Sequence, residues 1–106
     1  MGFLNWDFTI MKSNKGYAHK VDANQSDVVA ALRRVGAIVE VTSSAGGGFP
    51  DLVVGFHGDV YLIEVKDGKN VLTSEQVTFF MKWKGFCKVG VVRSPEEALR
   101  FIGAIK

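Results

Sequence analysis

The chain has a single cysteine, Cys87, and only two prolines, Pro50 and Pro95. One thiol cannot close an internal disulfide, which excludes the stapled framework of small secreted domains and suits a reducing cytoplasm, the expected location. The two histidines, His19 and His57, stand far apart in the chain, so a zinc site is not expected. No apolar run reaches the length of about 18 residues that would suggest a membrane span. The opening stretch MGFLNWDFTIMK lacks a basic segment followed by an apolar core and a small-residue cleavage site, so secretion is not expected either. Charge of one sign is not in large excess: 13 Lys+Arg against 11 Asp+Glu give +2. That balance neither requires nor excludes a polyanionic partner, although two acids committed to a metal would leave the remaining surface more positive. No repeat, heptad or low-complexity tract is present.

What is present fits one domain. A chain of 106 residues with 47% apolar content can bury one modest core. Residues 1–18 read as an N-terminal arm, either a short strand with a basic tail or an unstructured segment, and residues 19–106 as the domain. Asp22 and Gln25 form a capping-box pattern for a helix that runs to about Val35 and stops at Gly36. Its inward stripe is Gln25, Val28, Val29, Leu32 and Val35. Ala37 to Thr42 is a strand candidate, followed by the glycine-rich loop SSAGGGFP. Asp51 to Phe56 and Asp59 to Lys66 read as two strands joined by a His57-Gly58 turn. Thr73 and Gln76 cap a second helix whose inward stripe is expected at Gln76, Val77, Phe80 and Met81. Cys87 to Arg93 is a fourth strand. Ser94, Pro95 and Glu97 then open a last helix, with Leu99 and Ile102 inward. The order αβββαβα is that of an α/β layer structure.

Counting back from the two-residue turn gives the register of the hairpin. Phe56 pairs with Asp59, Val53 lies opposite Leu62, and Asp51 lies opposite Glu64. Lys66 falls on the same face as Glu64, because side chains alternate along a strand. Two carboxylates side by side on a sheet repel unless something neutralises them. A divalent cation does so, and carboxylate oxygens suit Mg²⁺ or Mn²⁺. The alternative is that the two acids are separate surface charges. Val53 and Leu62 on that face, and two amphipathic helices to cover it, speak against this. A register slip of one residue would undo the pairing.

Gly48-Phe49-Pro50-Asp51 followed by Ile63-Glu64-Val65-Lys66 resembles the PD-(D/E)XK nuclease signature. With Leu72-Thr73, Gln76 and Val91-Val92-Arg93-Ser94, the pattern is similar to the VRR-NUC branch, in particular its small stand-alone phage versions, over about residues 19–103. The resemblance implies a restriction-endonuclease-like core, a four-stranded mixed sheet flanked by helices. It also implies Mg²⁺- or Mn²⁺-dependent endonucleolytic hydrolysis of DNA, selective for branched structures such as four-way junctions, by a homodimer in the cytoplasm, that of a host cell if phage-encoded. Asp51 and Glu64 would then be metal ligands, with the backbone carbonyl of Val65 completing the site. Lys66 would position or activate water, and Gln76 would support the site from the second helix.

One position departs from the family. A Glu on the first helix commonly projects toward the metal, and the residue here is Gln25. It is either a neutral ligand or simply part of the helix cap. Lys12, Lys15, Lys20 and Lys69 are candidates for contacts to the DNA backbone, and Gly47, within Gly46-Gly47-Gly48, for a close approach of main chain to phosphate. Alternative readings are a DNA-binding module with weakened catalysis and a nuclease subunit that needs a partner.

Overall fold

A computed structural model describes residues 23–106. The arm over 1–18 with Lys12 and Lys15, and also His19, Lys20 and the Asp22 cap, lie outside the described residues. The elements are α1 (Ala23–Arg34), β1 (Ile38–Val41), β2 (Leu52–Phe56), β3 (Asp59–Val65), α2 (Ser74–Trp83), β4 (Lys88–Val92) and α3 (Pro95–Phe101). The strands form one mixed sheet in the order β1-β2-β3-β4. The first two pairings are antiparallel, and β3 with β4 is parallel. No helix among the described residues is long and apolar enough to cross a membrane.

The hairpin that sets the register is built by its turn. His57 and Gly58 have φ of 49° and 87°. Positive φ at both central residues is the backbone twist that matches a two-residue hairpin, which glycine adopts without strain. Phe56 pairs with Asp59 and Val53 with Leu62, as counted from the sequence.

The main core lies on the sheet face that carries Leu52, Val54, Tyr61, Ile63 and Val65, where Val28, Val29 and Leu32 of α1 and Ala98 of α3 pack. Gly90 in β4 lets this layer close, because a Cβ there would fall 2.6 Å from the Phe101 ring. That ring meets Tyr61 edge-on at 5.5 Å. Glu64 belongs to the opposite face by strand alternation. The expectation that two helices would cover the Val53–Leu62 face is corrected. Among the described residues α2 reaches Glu64 there, while α1 and α3 take the other side.

Two stripes also need correction. On α2 it is Phe79 that is buried, whereas Val77 and Met81 are 45% and 68% exposed. Phe79 packs edge-on to Phe49 at 5.0 Å and stacks with Trp83 at 5.8 Å. On α1, Val35 falls beyond the last helical residue and is 40% exposed.

Candidate active site

Asp51 sits one residue before β2, and its main chain is tied down from β1. Thr42 donates its N–H to the Asp51 carbonyl at 2.7 Å and its hydroxyl to the Pro50 carbonyl at 2.7 Å. The loop between them turns through Gly46, Gly47 and Gly48, all at positive φ. Gly48 is a necessity of packing as well as of backbone. A Cβ there would lie 2.5 Å from the Glu75 carbonyl in the first turn of α2. The glycine therefore lets the Asp51 loop seat directly against the helix that carries Gln76.

The Asp51 carboxylate accepts the Val65 N–H at 3.0 Å. This bond spans the open end of the hairpin and brings the acid beside Glu64, the neighbour of Val65. Glu64 is 3% exposed. Its Oε2 accepts from the Gln76 side-chain amide at 2.8 Å and lies 3.5 Å from the Lys66 ammonium. Its Oε1 is buried and meets no hydrogen-bond donor among the described residues. Burial pushes the Glu64 carboxyl up to about 7, and the Asp51 charge adds to that, while Lys66 works the other way. An apolar protein interior disfavours the charged form, and a second carboxylate disfavours it further.

Gln76 joins two functions in one side chain. Its Oε1 accepts the Thr73 N–H at 2.8 Å and its own N–H donates to the Thr73 hydroxyl at 3.2 Å, which is the capping box read from the sequence. Its Nε2 is then turned toward Glu64. The helix cap thus orients the amide that supports the acid.

Gln25 is buried and donates its side-chain amide to the Ser43 hydroxyl at 2.9 Å. This ties α1 to the start of the loop that leads to Asp51. Lys69 and Gly47 are exposed, Lys69 in the turn that follows Lys66. The structure therefore brings Asp51, Glu64, Val65, Lys66 and Gln76 together, sets Gln25 against the Asp51 loop, and leaves Lys69 and Gly47 at the surface.

Sequence reasoning missed Thr42, Ser43 and Asn24. Asn24 donates to the Lys66 carbonyl at 3.1 Å and the Arg93 carbonyl at 3.3 Å. Each acts by hydrogen bonds to main chain or loop, which leave no periodic trace in a sequence.

A divalent cation fits this donor set in one respect that the residues themselves supply. A buried carboxylate oxygen without a donor costs free energy that a cation would recover. Asp51 and Glu64 offer the hard oxygens that Mg²⁺ and Mn²⁺ prefer. No group of three or more His, Cys, Asp or Glu residues that could hold a metal occurs among the described residues, so water would have to complete the coordination. Comparison with family models, with curated proteins and with solved structures returns no match.

Proposed function

We propose that the protein is a Mg²⁺- or Mn²⁺-dependent endodeoxyribonuclease of the PD-(D/E)XK type, similar to the VRR-NUC branch, acting on branched DNA such as four-way junctions. The observation that carries this reading is the Glu64 carboxylate. It is buried beside Asp51, held on one oxygen by Gln76 and Lys66 and without a donor on the other among the described residues. A carboxyl pushed up by burial and a second carboxylate, beside a lysine, is a candidate for a functional site.

In the proposed reaction Asp51 and Glu64 would hold the cation, and the Val65 carbonyl would offer a further oxygen. The cation, when bound, supplies Lewis acidity toward a phosphoryl oxygen and a more acidic water. Lys66, only 15% exposed at its side chain, orients the attacking water and offsets negative charge developing on the phosphate. Gln76 keeps Glu64 turned toward the site. Lys69 and Gly47, together with Lys12, Lys15 and Lys20, are proposed contacts to the DNA backbone. A homodimer is part of the same proposal, and exposed Val77, Met81 and Phe86 supply apolar surface for it.

The test is cleavage of end-labelled four-way junction, splayed-arm, flap and plain duplex DNA, each with Mg²⁺, Mn²⁺ or EDTA. Wild type should cut a branched substrate only with metal, and Glu64→Ala should lower the rate by about a hundredfold or more. Equal cutting by the variant would refute the assignment. Gln25, neutral and engaged with Ser43, favours a second reading, a DNA-binding module with weakened catalysis. A large gain of activity in Gln25→Glu would support that second reading.

A further inference from the structure

Lys66 lies one residue beyond the end of β3, where the ladder to β4 runs out. A lysine side chain has four rotatable bonds, so its ammonium is placed first by where the main chain puts its Cα. Both hydrogen-bonding groups of that main chain are committed. The Lys66 N–H donates to the Val92 carbonyl at 3.0 Å, and its carbonyl accepts from the Asn24 side chain at 3.1 Å. The same Asn24 nitrogen donates to the Arg93 carbonyl at 3.3 Å. One amide group of α1 therefore bridges the first carbonyls beyond the ends of β3 and β4.

The chain that follows is held in the same manner. The Arg93 guanidinium donates to the carbonyls of Gly68 at 3.3 Å and Asn70 at 2.7 Å. Asn70 in turn donates its N–H to the Asp67 carbonyl at 2.9 Å, closing the turn. Arg93 is fixed from behind, since its own N–H donates to Glu97 in α3 at 2.8 Å. Carbonyls in an exposed turn need no such donors, because water satisfies them at little cost. Side chains from α1 and from the end of β4 converge instead on the five residues that start with Lys66.

We propose that Asn24, backed by Arg93, is a positioning residue for Lys66. It holds the Lys66 main chain so that the ammonium stays against Glu64, 3.5 Å from Oε2. The inference rests on the nuclease reading given above. A displacement of about 1 Å in a reacting group can cost about a hundredfold in rate, so the loss of this anchor should be read in turnover rather than in DNA binding.

The experiment is a kinetic cycle on a branched DNA that the wild type cuts, with the variants Asn24→Ala, Lys66→Ala and the double variant, and with thermal unfolding measured on each. Asn24→Ala is expected to lower kcat about tenfold or more, with KM for the DNA little changed and a melting temperature lowered by only a few degrees, so that the protein stays folded at the assay temperature. In the Lys66→Ala background the same substitution should have no further effect, because its route to the chemistry is gone. Arg93→Lys, which keeps the charge but replaces the planar guanidinium whose Nη1 donates to both Gly68 and Asn70 with a shorter, freely rotating ammonium, should give a smaller loss of the same kind. Wild-type turnover in Asn24→Ala would overturn the proposal. So would an effect undiminished in the Lys66→Ala background, or a rate loss in both Asn24→Ala and Arg93→Lys that only follows loss of folded protein. A wild type that cuts no DNA would instead overturn the nuclease reading, and this inference with it.

Discussion

At the scale of single residues the site is organised around the cost of one buried acid. Glu64 has one oxygen in contact with Gln76 and one that meets no donor among the described residues. Gln76→Ala should therefore act twice. It removes half of the α2 capping box, at a cost of about 1 kcal/mol, and it leaves Glu64 without its amide donor. We expect a lower melting temperature and a loss of cutting greater than a surface cap elsewhere would cause. Thermal unfolding and cleavage, measured side by side, check both. Gly48 is the second residue on which the site turns. Gly48→Ala would place a Cβ 2.5 Å from the Glu75 carbonyl at a backbone with φ of +81°. The left-handed conformation alone costs about 1–2 kcal/mol for a residue with a Cβ, and the clash with main chain adds to it. A melting temperature unchanged by this substitution would show that the loop does not seat against α2 as described.

At the scale of elements, α2 meets the loop that leads to Asp51 through Phe79, which packs on Phe49, and meets Glu64 through Gln76. Phe79→Ala, which empties the contact with Phe49 and Trp83, should cost about 3 kcal/mol. It should also weaken cutting by loosening Gln76, whereas Met81→Ala, at an exposed position, should do neither; denaturant unfolding of the two variants makes the comparison. The same helix shows where sequence reading stops. Its capping box was legible because Thr73 and Gln76 carry a chemical signature at fixed spacing. Its buried side was not, because Val77 and Met81 are as apolar as Phe79 and hydrophobicity alone offers two stripes. The β2–β3 hairpin was legible for the opposite reason. His57-Gly58 fixes the register, and the register follows by counting to Asp51 and Glu64. The anchors supplied by Thr42, Ser43 and Asn24 were hidden, and Arg93 was legible only as part of the resemblance, not as a donor to the turn after Lys66. A polar side chain that serves a distant carbonyl looks in sequence like any solvated one.

At the scale of the whole molecule, the Glu64 carboxyl links stability to pH and to metal. Its folded value of about 7 stands above the ordinary 4.5. The stability contributed by the protonated form is then fully present below about pH 4.5 and is lost as pH rises through about 7. Metal-free wild type should accordingly melt at a lower temperature at pH 8 than at pH 6. Glu64→Gln, which stays neutral, should lack this part of the slope and melt higher than wild type at pH 8. A cation that binds the folded state alone reverses the penalty by mass action. The most direct test of the central claim, that Asp51 and Glu64 form a divalent-cation site, is Mn²⁺ binding followed by paramagnetic resonance at neutral to slightly alkaline pH. Wild type is predicted to bind the ion in the micromolar to millimolar range and to lose that binding in Glu64→Gln. Wild type that binds no Mn²⁺ even at millimolar concentration, or a Glu64→Gln variant that binds it equally well, would contradict the account.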